Sequence, residues 1–267
     1  MSLSEKALLL KEDIDKVYDN GYNKGYSWGE EKGYHDGFNK GEDYFFHKVL
    51  LNGGKRTDIE YLFSNVLDAS KYSFPEGYKP VYTEGLFYKY LGEYLPKGLD
   101  YSNITTSSTY PFKYLFYNCS NLKEIYNLNL GTKKIFSLNY TFSYCQQLVR
   151  IDTPLVVDST ATFTSAFSGC NKLEEVRFDG GLIGKDISFA DCPNLSAESV
   201  KSLFKRLGKW TTESAYYKVT VTIKQAAFDR LVAAEPTTEW TNADGEKVQV
   251  TWAEYVDNKK WNLTIKS

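Results

Sequence analysis

A ten-residue pattern, Phe-x-x-Cys-x-x-Leu-x-x-(Ile or Val), returns at near-constant steps and takes up every cysteine of the chain. Its complete copies are Phe116, Cys119, Leu122, Ile125; Phe142, Cys145, Leu148, Ile151; and Phe167, Cys170, Leu173, Val176. A fourth copy, Phe189, Cys192, Leu195, breaks off before its last member. The cysteines stand 26, 25 and 22 residues apart. Self-similarity at such a step marks a repeat architecture in which each unit is one supersecondary element. Two degenerate copies lie upstream. Phe63 has Val66 in the cysteine slot and Ala69 in the leucine slot, and Phe87 has Tyr90 in the cysteine slot.

The three-residue spacing predicts that each quartet buries one face of a short helical turn and of the strand that follows. Burial of four side chains does not offset the backbone entropy of ordering a whole unit. One unit therefore cannot fold alone, and stacking into a solenoid is required. The cysteines admit three readings. Disulfides would need Cα atoms within about 7 Å, and zinc sites would need paired cysteines at short spacing. The third reading, small reduced core residues stacked in a ladder, suits both the spacing and the residue type.

The unit resembles the BspA-like leucine-rich repeat family, of the kind found in phage and prophage structural proteins of gut bacteria. That family runs Ala-Phe-x-x-Cys-x-x-Leu-x-x-Ile and continues into a strand and a proline. Ile151, Asp152, Thr153 and Pro154 reproduce the proline, and the other copies do not. The resemblance covers 116–195, or 63–195 with the degenerate copies. It implies a bacterial surface adhesin or a phage structural component.

The expected fold is α+β: a short leucine-rich-repeat solenoid over 51–195, an N-terminal glycine-striped helix over 1–50, and a small α+β C-terminal cap over 196–267. The stripe is Gly21, Gly25, Gly29, Gly33, Gly37 and Gly41, with Tyr22, Tyr26, Tyr34 and Phe38 following four of them. Six glycines cost a lone helix about 5–6 kcal/mol relative to alanine. A partner packed on the glycine face is therefore expected, and a period above 3.6 calls for right-handed coiling. The competing readings are a helix folded back on the repeats, or a turn-rich arm. In the cap, Ser196 reads as the N-cap of a helix over 197–207. Strands are expected over 218–224, 247–251 and 261–266, and helices over 225–234 and 252–259.

Sites for chemistry are not indicated. His35 and His47 are the two histidines, and their spacing gives no metal pair. The run from Gly180 to Asp186 has the wrong glycine spacing for a phosphate loop and reads as a loop between repeats. No cofactor and no metal are expected, and an enzyme ranks last among the readings. A net charge of −2 argues against nucleic-acid binding. No apolar run is long enough for membrane insertion. The start of the chain lacks the pattern of a signal peptide. Together with the resemblance, which implies a phage component or a surface adhesin, the expected setting is a virion assembled in a bacterial cytoplasm, with the bacterial cell surface as the alternative. The expected partners are other virion proteins and the chain itself as a homo-oligomer, with a host surface protein or glycan as a further candidate.

The chain holds 22 Tyr and 16 Phe but one Met. Tyrosine offers large contact area at low entropic cost, so a tyrosine-rich surface favours binding. Tyr216, Tyr217 and Trp240 are candidate contact aromatics, with a core role as the competing reading.

Overall fold

The computed structural model describes residues 63–64, 84–95, 112–126, 134–209 and 219–267. These belong to a compact unit spanning Thr57–Ser267. The glycine stripe, Tyr216 and Tyr217 lie outside the described residues.

The repeat phenylalanines form one continuous stack. Phe63, Phe87, Phe116, Phe142, Phe167 and Phe189 have successive ring centroids 5.1, 5.4, 5.7, 5.4 and 4.4 Å apart, all near-parallel. The degenerate copies at Phe63 and Phe87 thus stand in register with the four strong ones. Beneath the rings, the cysteines, leucines and isoleucine or valine of the quartets are all buried. Tyr90 fills the cysteine slot of its copy and is fully buried, its hydroxyl donating to the carbonyl of Tyr94 at 2.7 Å.

The Phe-x-x-Cys segments are chains of tight turns, not the helical turn that the spacing predicts. In the copies at Phe87, Phe116, Phe142 and Phe167, the residues two before and two after the phenylalanine have positive φ. They are Gly85 and Lys89, Tyr114 and Asn118, Tyr140 and Tyr144, and Ser165 and Gly169. Left-handed residues at this interval break any helix. The peptides then alternate in role. Around Phe116, the amides of Leu115, Tyr117 and Cys119 close turns onto Phe112, Tyr114 and Phe116. Those of Tyr114, Phe116 and Asn118 donate to Asn139, Thr141 and Ser143 of the next repeat. Six of the eight left-handed positions are not glycine, at a cost of about 1 kcal/mol each. The ladder between repeats over-determines them.

Four cysteine thiols tie the stack. Cys119, Cys145, Cys170 and Cys192 donate to the carbonyls of Phe87, Phe116, Phe142 and Phe167, at 2.9, 3.0, 3.0 and 3.6 Å. All four are free thiols and buried. Burial pushes the thiols of Cys145, Cys170 and Cys192 well up. An unfolded thiol ionises near pH 8.5. Above that pH the unfolded chain loses protons that the folded chain keeps. Stability is therefore expected to fall with rising pH, by roughly 1–1.5 kcal/mol per unit for each such thiol. Guanidinium unfolding at pH 7, 9 and 10 checks this, and Cys170→Ala should shallow the slope. A thiol reagent at pH 8 should label none of the four until denaturant is added.

The strands run parallel. β1 (Glu124–Ile125), β2 (Ile135–Ser137), β3 (Arg150–Thr162) and β4 (Glu175–Gly181) make one sheet. The first part of β3 lies between β1 and β4, with Ile125, Ile151 and Val176 in register, and its later part pairs β2. Pro154 sits within β3 where the register with β4 shifts, a position that tolerates a residue without an amide proton. The glycine run also departs from expectation. Gly180 and Gly181 are not loop residues but the end of β4, paired with Val156 and Val157.

The ladder continues beyond the repeats. β5 (Ile187–Phe189) pairs with β6 (Thr220–Lys224), which pairs with β9 (Asn262–Lys266), all parallel. Between them come α1 (Ala197–Arg206), α2 (Gln225–Ala234), β7 (Thr237–Thr241), β8 (Lys247–Thr251) and α3 (Trp252–Asn258). β7 and β8 form an antiparallel hairpin. Asp244 and Gly245 stand in its turn, and of its two strands only β8 is among those expected from the sequence.

Helix α1 starts where Ser196 accepts from the amide of Ser199, and it covers the free edge of β4 with side chains. The hydroxyls of Ser199 and Ser202 accept from the amides of Val176 and Phe178, and Arg206 donates to the carbonyl of Phe178. This removes an exposed strand edge. The other end of α1 is closed by Lys259, which is 7% exposed. Its ammonium donates to the carbonyls of Phe204, Lys205 and Leu207 at 3.3, 3.1 and 2.7 Å. Burial, with Lys205 and Arg206 nearby, lowers its pKa to about 8, so it stays cationic at neutral pH. A cation there complements the helix dipole. Lys259→Met is expected to cost about 2–3 kcal/mol by orphaning these carbonyls, read as a lower guanidinium midpoint at unchanged slope.

Candidate binding surface

Each chain of turns that aims one phenylalanine inward must aim its neighbours outward. The outward slots are the residue after the phenylalanine and the two left-handed positions. In three successive repeats five of these nine positions are tyrosine: Tyr88, Tyr114, Tyr117, Tyr140 and Tyr144; of the other four, Gly85 and Ser143 are buried and Lys89 and Asn118 are not. The first four tyrosines are half-buried and Tyr144 is 47% exposed.

The five rings form a ridge across the repeats. Tyr88 stacks on Tyr117 at 5.2 Å, and Tyr114 on Tyr140 at 5.2 Å. Tyr114 meets Tyr117 edge-on at 5.6 Å, and Tyr117 meets Tyr144 edge-on at 5.7 Å. Offset-stacked and edge-to-face pairs of this kind are worth about 0.5–1.5 kcal/mol beyond their buried area. The ridge is therefore held rigid before any partner arrives. The surrounding rings desolvate the Tyr117 phenol and raise its pKa, so it remains a neutral donor and acceptor.

Two lysines flank the rings. Lys89 places its ammonium 5.3 Å from the Tyr88 ring centre, and Lys113 lies 4.9 Å from that of Tyr114. Lys113 also pairs with Glu84 at 3.5 Å. Rigid tyrosines with peripheral charge are the composition of a protein-recognition surface. The next repeat drops the ring, because Ser165 and Gly169 take the left-handed slots. A side chain at Gly169 would press on Tyr144, with its Cβ 3.0 Å from the ring's Cδ1.

The residues that the sequence pattern singles out lie off this ridge. The quartets from Phe116 to Leu195 are interior and present nothing to a partner. Trp240 is half-buried on β7, edge-on to Tyr255 at 5.5 Å and 5.2 Å from the Lys209 ammonium. It braces the hairpin against α3. The ridge tyrosines were missed, although a signal exists: Tyr114 and Tyr140 occupy the same slot, as do Tyr88 and Tyr117. Reading the outward slots with the same register as the inward ones exposes it.

Among the described residues, no group of three or more histidine, cysteine or acidic side chains is placed to hold a metal ion. No helix among them is long and apolar enough to cross a membrane. No curated protein and no solved structure matches the chain. A family match does exist, to the BspA type leucine rich repeat region (6 copies), at residues 60–154 and 97–218. Together these stretches span more than half of the chain and include the phenylalanine stack, the thiol ladder and the ridge. The chain belongs to the BspA-type leucine-rich repeat family, as a repeat protein of the protein-binding or surface kind.

Proposed function

We propose that this protein is a non-enzymatic structural and attachment component of a phage or prophage virion, in a tail fibre, baseplate or head decoration. The tyrosine ridge is the observation that carries the binding role. It is a rigid, half-exposed row of rings whose stacking spans three repeats. Stacked repeats, as a solenoid, would hold it at a fixed distance from the rest of the particle. The glycine-striped segment at 21–41 would dock the protein onto other virion proteins or onto further copies of itself. The virion setting draws its support from the sequence resemblance and from that stripe.

The test is to induce the bacterium that encodes the protein, purify particles on a density gradient and probe them with antibody. Co-sedimentation with particles is expected. Recovery in the cell-envelope fraction alone would overturn the virion setting in favour of a cell-surface adhesin. The ridge is tested separately with Tyr117→Ala/Tyr144→Ala, which should weaken attachment at least tenfold; because three ring pairs are lost with it, stability should also fall by about 1.5–4.5 kcal/mol, with the circular-dichroism spectrum of the folded protein unchanged.

A further inference from the structure

The parallel sheet β5–β6–β9 ends at β9, whose far edge pairs with no strand among the described residues. One hydrogen bond fixes which groups point to that edge. The amide of Asn262 donates to the carbonyl of Val219 at 2.9 Å, so Asn262 faces β6. Bonding direction alternates along a strand of a parallel ladder. Thr264 and Lys266 therefore also face β6, and Leu263 and Ile265 turn their N–H and C=O groups outward. The side chains of the same two residues carry the core to its end. Ile187, Val221 and Leu263 form one cross-strand row, and Phe189, Ile223 and Ile265 the next. The first two members of each row are at most 1% exposed, whereas Leu263 is half-buried and Ile265 is 37% exposed.

An open edge that ends an apolar row is a template for another strand. The edge of β4 is covered by the serine hydroxyls of α1. The outward groups of Leu263 and Ile265 have no such cover among the described residues.

The order of residues along β9 selects what fits there. Let a second β9 approach antiparallel, about a two-fold axis at Thr264. Leu263 then meets the partner's Ile265, and Ile265 meets the partner's Leu263. All of these residues bond outward, so each pair can exchange both of its ladder hydrogen bonds. The two apolar rows run on into those of the partner. Thr264 meets the partner's Thr264, a favourable cross-strand pair, and Asn262 meets the partner's Lys266, so no like charges stand opposite each other. A slip of one residue would set Leu263 and Ile265 against residues already bonded to β6. Such self-complementarity is what an isologous contact requires. We propose that β9 pairs antiparallel with β9 of a second copy, joining two chains through one continuous sheet. The proposal goes beyond the attachment reading and uses neither the ridge nor the glycine-striped segment.

Thr264→Cys in the full chain tests both the contact and its register. Residues facing each other in a pair of this kind have Cα atoms about 4.5 Å apart, within reach of a disulfide. The four native thiols are buried and do not compete. Mild oxidation should link most of the Thr264→Cys chains into dimers on a non-reducing gel. Asn262→Cys, which meets the partner's Lys266 instead, should link at least tenfold less. Adding Ile265→Pro to Thr264→Cys removes an outward amide and leaves the ladder to β6 intact, and it should cut the linking at least tenfold. Thr264→Lys sets two ammonium groups face to face without altering the backbone. In sedimentation at rising concentration it should weaken dimer formation at least tenfold, with the circular-dichroism spectrum unchanged. A parent that stays monomeric, or Thr264→Cys linking no better than Asn262→Cys, overturns the proposal. So does an oligomer that Thr264→Lys leaves undiminished, which assigns assembly to another segment. None of these results bears on co-sedimentation with particles or on the ridge variants, so the attachment reading stands or falls separately.

Discussion

Replacing Gly181 by alanine is expected to destabilise the protein by about 3–5 kcal/mol, among the largest effects a single methyl group can have. Two independent faults combine. The Cβ would lie 1.7 Å from the carbonyl oxygen of Val157, a backbone atom that cannot swing away. The residue also has φ +68, which alone costs an L side chain about 1–2 kcal/mol. The two faults can be separated. Gly184→Ala meets a carbonyl, that of Ser159, at 2.1 Å, without a positive φ. Gly245→Ala keeps a positive φ, +83, in open space at the hairpin tip. Gly184→Ala should fall close to Gly181→Ala in its effect, and Gly245→Ala should cost about 1 kcal/mol. The three guanidinium midpoints measure this. Equal midpoints for Gly181→Ala and Gly245→Ala would show that the backbones of β3 and β4 do not approach this closely.

The same glycines show why part of the fold was legible in the sequence and part was not. The spacing of Gly180, Gly181 and Gly184 excluded a phosphate loop, but only the approach of β3 shows that Gly181 and Gly184 leave room for its carbonyls. What could be read were features that repeat, or that are governed by neighbours in the chain. The three cysteine quartets, the broken copy at Phe189 and the copies at Phe63 and Phe87 fall into the first class. The cap helices fall into the second. Ser196 caps α1, and Thr251 with Glu254 forms a capping box on α3. Features imposed from a repeat away were out of reach. Tyr114, Tyr140 and Tyr144 adopt a left-handed backbone that tyrosine disfavours, because each sits where amides are taken by the adjoining repeat. The same constraint decides which side of the turn chain each ring occupies. The ridge is therefore a product of stacking, and a single repeat read alone cannot reveal it.

The stacking itself is open to direct measurement through Phe142. Its ring is 1% exposed and lies between Phe116 at 5.7 Å and Phe167 at 5.4 Å. Phe142→Ala should cost about 3–5 kcal/mol for the buried ring and the cavity it leaves. Phe142→Leu fills most of that volume and removes the two ring–ring contacts, for an expected cost of about 1–3 kcal/mol. The form of the transition is more telling than its midpoint. In an array whose units contact only their neighbours, stability is a sum of unit terms and interface terms. Removing a middle ring weakens both interfaces of one unit, so the two flanks lose their coupling. The denaturant slope should fall, and the amides of the Phe87 and Phe116 copies should exchange earlier than those around Phe189 and α1, which the cap still holds. A single transition of unchanged slope, with all these amides exchanging together, would mean that the cap and sheet contacts bind the chain as one unit regardless of the phenylalanine column.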